Sequence, residues 1–358
     1  MQLGLFMMPV HPPEKDRTAC FEEDLELVML ADQLGYTEAW IGQHFSVAWE
    51  PIPSNDVFIA NALPRTKQIR FGTGVTIVQY HHPVNVALRL AMLDHLSRGR
   101  LLCGFGHSAI TTDLSLFDLP ADPKKLGLMT MEGMDMVLKL WQEDPPFDFQ
   151  GDTWRIRIDE VDPEIAMGTI LKPYQKPHPP IAMSVMKGNS LAAATAGRRG
   201  YMPLSTNLVP ESTLPLHWQT YCAGAAEAGH PEPDRSKWRV TRNIFVGETS
   251  AEAREHALSG TFARSFDYLI KLIRRGNLSL LKEDPEMPDE AITPEYAVDK
   301  LSIVGDVDEV TRRLQALWES TGGFGTLLMV GHDWDDKAKW TRSMELLMHE
   351  VIPALPSV

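Results

Sequence analysis

Trp40-Ile41-Gly42-Gln43-His44-Phe45 and Gly72-Thr73-Gly74-Val75, the second followed by His81-His82-Pro83, share one plan. Each opens in a short apolar run with aromatic or β-branched residues and breaks off into a polar loop. That reads as a strand end with a histidine just past it. In an α/β barrel the C-terminal strand ends carry the reactive side chains.

Outward from these two stretches, short apolar runs alternate with longer helical patterns along the whole chain. The candidate strands are Leu3–Met7, Glu38–Ile41, Ile69–Val75, Leu101–Phe105, Ile181–Val185, Tyr201–Ser205, Trp238–Val246 and Gly325–Val330. Eight is the number that closes a (β/α)8 TIM barrel, so the fold class is α/β. After Thr18, residues Phe21, Leu25 and Val28 recur at helical spacing and Gly35 marks the stop. Pro83 opens another helix, with Val84, Ala87, Leu88, Ala91 and Met92 on one side and Gly99 at its end. The rhythm predicts parallel strands with right-handed crossovers. The competing open doubly wound sheet lacks a GxGxxG after the first strand.

Residues 1–358 read as one barrel domain with insertions at about 142–178 and about 263–296. The first contains a hairpin around Phe147–Ile156 and a Pro-rich passage. The second is a polar excursion including Glu283-Asp-Pro-Glu-Met-Pro-Asp-Glu290, and its length suits a lid over the barrel mouth.

A formal charge of −14 argues against nucleic acid or an anionic membrane as partner, because both reward clustered Lys and Arg. Cys20, Cys103 and Cys222 lie far apart without a CxxC pair, which suits a reducing compartment. No run approaches the ~20 apolar residues that span a bilayer. Met1-Gln-Leu-Gly-Leu-Phe begins a strand without a basic leader. The expected location is cytoplasmic.

His44 is the first candidate for chemistry: an ordinary histidine pKa of ~6.5 suits a general base near neutral pH. The alternative is a loop histidine that packs locally. His81 and His82 are adjacent, so their rings diverge on most backbones, whereas a metal wants convergent ligands. No metal is expected; one of the two reaches the mouth and the other the surface. Gly72 and Gly74 bare a strand end, either for a flat cofactor or for packing in a narrow barrel. Cys103-Gly-Phe-Gly106-His107-Ser108 offers backbone N–H groups with His107 and Ser108 as donors to an anionic phosphate. In Lys187-Gly-Asn189-Ser190, Asn189 or Ser190 is a natural N-cap for Leu191–Gly197, and such a helix start can also hold a phosphate. Trp141 and Trp318 fall on apolar helix faces and read as core; Trp334, past the last strand, suits a pocket wall.

These residues together resemble the bacterial luciferase-like flavin-dependent monooxygenases. The resemblance rests on Gly4-Leu-Phe-Met-Met-Pro9, Gly42-Gln-His44-Phe45, Gly72-Thr-Gly-Val75 with His82-Pro83, Leu96-Ser-Arg-Gly-Arg-Leu101 and Gly305-Asp-Val-Asp-Glu-Val310. A narrower likeness, to the limonene-monooxygenase-like and diketocamphane-monooxygenase-like branch, rests on Ala48-Trp-Glu-Pro-Ile-Pro53, Tyr80-His-His-Pro83, Trp238-Arg-Val-Thr-Arg-Asn-Ile-Phe-Val246, Thr321-Gly-Gly-Phe-Gly-Thr-Leu-Leu328 and Gly331-His-Asp-Trp334.

The resemblance implies a barrel that binds FMN at its C-terminal mouth, reduced by a separate flavin reductase. The reduced flavin and O2 then oxygenate a small apolar substrate such as a cyclic ketone or terpene, by Baeyer–Villiger insertion or epoxidation. It implies His44 as the catalytic residue. Thr73, Gly74 and Val75 would lie against the flavin, with a non-proline cis peptide beneath the ring, Gly106, His107, Asn189 and Ser190 would hold its phosphate end, and Ser184 would also bind the cofactor. Phe6, Met8, Gln43, Phe45, Tyr80, His82 and Trp334 would face substrate, in a mouth kept apolar and closable. His107 stands where an arginine is frequent, Gly106 where a reactive cysteine occurs, and Gln43 where a glutamate is frequent. Phosphate affinity is therefore expected to be modest, and no carboxylate is expected to act beside His44. The family also implies a homodimer. Two other uses of the same barrel are deazaflavin-dependent hydride transfer and flavin binding without catalysis.

Overall fold

In the computed structural model, which describes residues 1–108 and 110–357, the expected strands close into a parallel barrel. They are β1 (Gln2–Val10), β2 (Glu38–Ile41), β3 (Arg70–Thr73), β4 (Leu101–Gly106), β5 (Ile181–Val185), β6 (Met202–Ser205), β7 (Arg239–Val246) and β8 (Thr326–His332). Each pairs with the next in parallel, and β8 returns along β1 from Thr326 beside Gln2 to Gly331 beside Met7.

Alternation along each strand explains why both faces are apolar. Leu3, Leu5 and Met7 of β1 join Ala39, Ile41, Leu101, Cys103, Phe105, Ile181 and Met183 in the layer between strands and helices. Phe6, Trp40, Leu102, Ala182, Leu204 and Leu328 point the other way and fill the barrel. Buried faces of this kind turn strands into near-continuous apolar runs.

The barrel is filled chiefly by Trp40. A Cβ on Gly72 would stand 2.3 Å from its indole, and one on Gly104 would stand 2.1 Å from the Thr73 carbonyl oxygen and 3.0 Å from the indole. These glycines are therefore packing devices that let two strands pass close to a large ring. Trp40 Nε1 donates to Glu38 Oε2 at 2.9 Å, and Arg239 clasps the same carboxylate at 2.6 and 3.2 Å. Glu38 is 2% exposed, so the ion pair is shut in at the N-terminal end of the strands.

The helices follow their sequence signals with shifted ends. The first, Arg17–Leu34, is capped by Asp16, which accepts from the Ala19 N–H at 2.9 Å, and stops at Gly35 with φ of 91°. The hairpin in the first insertion pairs Phe147–Gln150 with Arg155–Ile158. The second insertion differs from its expected polar character: it begins as a helix, Thr261–Arg274, burying Phe262, Phe266, Leu269 and Ile270. The polar stretch comes only after it. A four-residue strand, Ser302–Gly305, was not expected; it pairs with Asn243–Val246, the half of β7 that β8 leaves free. Among the described residues no helix is long and apolar enough to cross a membrane.

Removing one partner of a buried ion pair strands the other charge. Glu38→Gln is expected to destabilise the protein by about 3 kcal/mol, read as a lower urea midpoint. Adding Arg239→Met should recover part of that loss; an unchanged midpoint in Glu38→Gln would show that the pair contributes nothing.

Candidate active site

At the opposite end, contrary to the expectation drawn from Gln43, the loop after β2 holds His44 between two carboxylates, Glu50 of the same loop and Asp113 from beyond β4. His44 Nε2 lies 3.0 Å from Glu50 Oε2, and Nδ1 lies 3.7 Å from Asp113 Oδ2. Both acids are buried, while a quarter of the His44 side chain remains exposed. Neither contact is a well-aligned hydrogen bond, since His44 Nδ1 and Glu50 Oε2 lack one. The attraction is mainly between charges.

Burial alone would lower the His44 pKa, but the Glu50 charge and the contacts with Asp113 and Glu50 outweigh it and push the value up to about 10. The ordinary pKa that suggested a general base therefore does not apply. At neutral pH this imidazole is a cation, fitted to donate a hydrogen bond or a proton.

The surrounding loop is arranged to hold that charge. Asp113 Oδ1 accepts from the Ser46 N–H at 2.8 Å and from the Ser46 hydroxyl, and Oδ2 accepts from the Phe45 N–H at 3.3 Å. Burial raises the Asp113 pKa, but these donors and His44 bring it below the ordinary value. Tyr268, on the Thr261–Arg274 helix, donates to Glu50 Oε1 at 2.7 Å and stacks on Trp49 with ring centroids 5.2 Å apart. Burial and the Glu50 charge push its hydroxyl pKa up, so it acts as a neutral donor.

Beside His44, the peptide between Gly74 and Val75 is cis. A Cβ on Gly74 would lie 3.2 Å from Phe6 Cε2, and one on Gly106 would lie 2.7 Å from Val75 Cγ2 and 3.8 Å from Ser184 Cβ. Phe6, Gly74, Val75, Gly106 and Ser184 thus line one continuous strip across the ends of β1, β3, β4 and β5. Met8 is half-buried against the inner cluster. An aromatic wall rises beside the strip: Tyr80 stacks on Phe117 at 4.5 Å, and Phe45 meets both edge-on at 5.1 Å.

At the far end of the strip, Ser190 caps the helix Leu191–Arg199 by accepting from the Ala192 N–H at 3.2 Å. Asn189 and His107 are exposed there. Burial and the nearby charge of Lys187 hold the His107 pKa below its ordinary value, so His107 is neutral. Lys187 adds a cation that the sequence reading had not assigned a role.

Four expected site residues lie elsewhere. Thr73 is fully buried, and its hydroxyl spans β3 and β4 through two 2.9 Å bonds with Gly104. Gln43 donates to the Pro53 carbonyl at 3.1 Å and lines a crevice with Asn55, His81 and Arg89, behind the strand end. His82 is exposed and caps its own helix through the Val84 N–H at 3.4 Å. Trp334 packs in the outer core under Lys337. Conversely, Asp113, Phe117 and Tyr268 have no place in the sequence reading, and Glu50 enters it only within Ala48–Pro53, without a role. Phe262, Phe266, Leu269 and Ile270 fall at helical spacing, a signal that would have located Tyr268 on a packed helix.

A second buried network closes the rim between β1 and β8. His11 sits 2.7 Å from Asp333 and 3.1 Å from Asp24, and Lys15 Nζ contacts Glu23 and Asp333 at 2.5 and 2.6 Å. His11, Glu23 and Asp333 are close enough to hold a metal ion. Lys15 already bridges the two carboxylates among them. Burial would lower the His11 pKa, but Asp24 and Asp333 raise it to about 9, so it too is a cation.

Comparison with known proteins places the chain in a family. The luciferase-like monooxygenase family model matches residues 1–323. The 4-hydroxyprotoasukamycin monooxygenase of Streptomyces nodosus subsp. asukaensis is 33% identical, covering 99% of this chain and 92% of that protein. Limonene 1,2-monooxygenase of Rhodococcus erythropolis is 29% identical over 99% of this chain and 86% of that protein. Among solved structures, the oxygenating constituent of 3,6-diketocamphane monooxygenase from Pseudomonas putida, a type II Baeyer–Villiger monooxygenase in complex with FMN, superposes with a TM-score of 0.91. It is 30% identical and covers 100% of this chain and 99% of that one.

The His44 proton is held in the folded protein and released near pH 6.5 once unfolded, so its stabilisation is whole below pH 6.5 and fades as pH rises toward 10. In NMR titration, the wild-type imidazole should stay protonated at pH 8. Glu50→Gln should lower its midpoint by roughly one unit or more; a wild-type midpoint near 6.5 would overturn the assignment.

Proposed function

Since this chain belongs to the luciferase-like monooxygenase family, we propose that it is the oxygenase component of a two-component system, taking reduced FMN from a separate flavin reductase. When bound and reduced, FMN supplies the activation of O2, from which one oxygen atom passes to a small apolar substrate such as a cyclic ketone or terpene. The observation that carries this reading is a cationic His44, locked between Glu50 and Asp113, beside a bare strip of backbone and an apolar wall.

The residues present fit such a cofactor. Gly74 and Gly106 carry no side chain and flank the small side chain of Val75, leaving a flat surface for a ring system, and the buried hydroxyls of Tyr80 and of Thr206, just past β6, have no hydrogen-bond partner among the described residues. Lys187, His107 and the helix start at Ser190 would hold a phosphate. His44 donates a proton or hydrogen bond to oxygen carrying developing negative charge, and Glu50 and Asp113 keep it charged between turnovers. Phe6, Phe45, Tyr80 and Phe117 exclude water. The Thr261–Arg274 helix, latched by Tyr268, serves as the lid.

With photoreduced FMN and panels of ketones and terpenes, wild type should consume O2 and release oxygenated product, and His44→Ala should lower product formation by ~10²–10³-fold. Lys187→Ala should weaken FMN binding about tenfold. Equal product from wild type and His44→Ala would remove His44 from this role; uptake of a deazaflavin but not FMN would move the chain to hydride transfer.

The chain is also proposed to work as a homodimer in the cytoplasm. Met92 and Leu96, each 57% exposed, share a face with Leu171 and Tyr174, which the His95–Lys172 hydrogen bond of 3.0 Å draws alongside. Its three thiols are free, which suits a reducing compartment and is checked by cell fractionation. Sedimentation should give a two-chain mass for wild type and a one-chain mass for Met92→Glu/Leu96→Glu.

A further inference from the structure

The N-terminal end of the barrel, across the molecule from His44, opens into a concavity of about 420 Å³. Its walls come from the starts of β3, β5, β6 and β7, and five basic side chains face it: Arg70, His178, Arg199, Lys237 and Arg239. In a chain of net charge −14 this is an unusual concentration.

Two carboxylates answer these cations, and both are engaged. Glu38 is clasped by Arg239 and bonded to the Trp40 indole, and Asp135 is paired with Arg199. Asp234, on the same loop as Lys237, is turned to Ser236, accepting from its N–H at 2.8 Å and its hydroxyl at 2.5 Å. Four permanent cations against Glu38 and Asp135 leave a surplus of two positive charges on the wall itself, while Asp234 attracts Lys237 from outside the lining. Arg70 makes no ion pair among the described residues; it feels Glu38 only at longer range, with Arg239 repelling it. Lys237 Nζ reaches only the Gly200 carbonyl, at 3.4 Å.

A half-buried guanidinium without a partner is unfavourable unless something anionic completes it. Here the fork of Arg70 and the flexible arm of Lys237 enter one space large enough for a small molecule. Pro180, Ile181 and Met202 give that space an apolar side. We propose that this floor is a second binding site, for a small molecule carrying a phosphate or diphosphate group, with Arg70 and Lys237 as its primary anchors. The doubly charged head matches the surplus, the guanidinium fork suits phosphate oxygens, and the apolar side accepts the organic body. The site does not depend on what occupies the mouth.

Calorimetric titration of FMN-saturated protein with inorganic phosphate and with inorganic pyrophosphate, at constant ionic strength with chloride as control, tests this. Saturable binding at one site per chain is expected for at least one of the two, and the stronger arm tells a single phosphate from a diphosphate. Arg70→Gln should weaken it roughly tenfold, and Arg70→Gln/Lys237→Gln should abolish it. FMN affinity should be unchanged in both. Lys237 is exposed, so Lys237→Gln folds even if changes at Arg70 do not, and it should weaken binding severalfold. No saturable binding to wild type, binding unaltered in the floor variants, or loss in Lys187→Ala instead would each overturn the proposal.

Discussion

The indole of Trp40, held between Glu38 and the glycines of β3 and β4, sets the depth of everything above it. A barrel of eight strands has room for only a few layers of side chains. Trp40 occupies most of one, and Arg239 anchors it from below through Glu38. The layer above is left to residues at the strand ends. Small ones there, Gly74, Gly106 and Ser184, open a shallow flat strip instead of a deep hole. A shallow strip suits a planar ring lying across strand ends, and the aromatic wall of Phe45, Tyr80 and Phe117 supplies the adjoining space for an apolar molecule.

Charge in this protein is organised by burial. His44 and His11 are both shut in with carboxylates and both carry protons, although one faces the mouth and the other seals a rim. His332, buried without a close carboxylate contact, goes the other way, with its pKa pushed down to about 3 by desolvation. Three histidines of one chain are thus divided between two charge states by their neighbours, which composition cannot reveal.

Much of the architecture was readable because it is local. Alternation along β1, the glycine stop at Gly35, the helix start at Pro83 and the Ser190 cap are each written within a few residues. His44 stands out in the sequence by its place after a strand. What escaped was long-range or short. Asp113 meets Ser46 across 67 residues of chain, and Tyr268 meets Glu50 across 218, pairings that only the closed barrel creates. Ser302–Gly305 has four residues and too little pattern to register. Gln43 and His82 show the opposite failure. Each sits beside a residue in the right place, but a one-residue step along the chain turns a side chain away. Thr73 and Trp334 were drawn toward the mouth by proximity in sequence, whereas strand pairing and core packing had stronger claims on them.

The hydrogen bond from Tyr268 to Glu50 ties the Thr261–Arg274 helix to the carboxylate that holds the His44 charge. Helix position and proton occupancy at His44 then form one thermodynamic cycle. Whatever protonation state favours the seated helix is favoured by it in return, to the same extent. The seating of that helix and the acidity at His44 are in this way two readings of a single equilibrium.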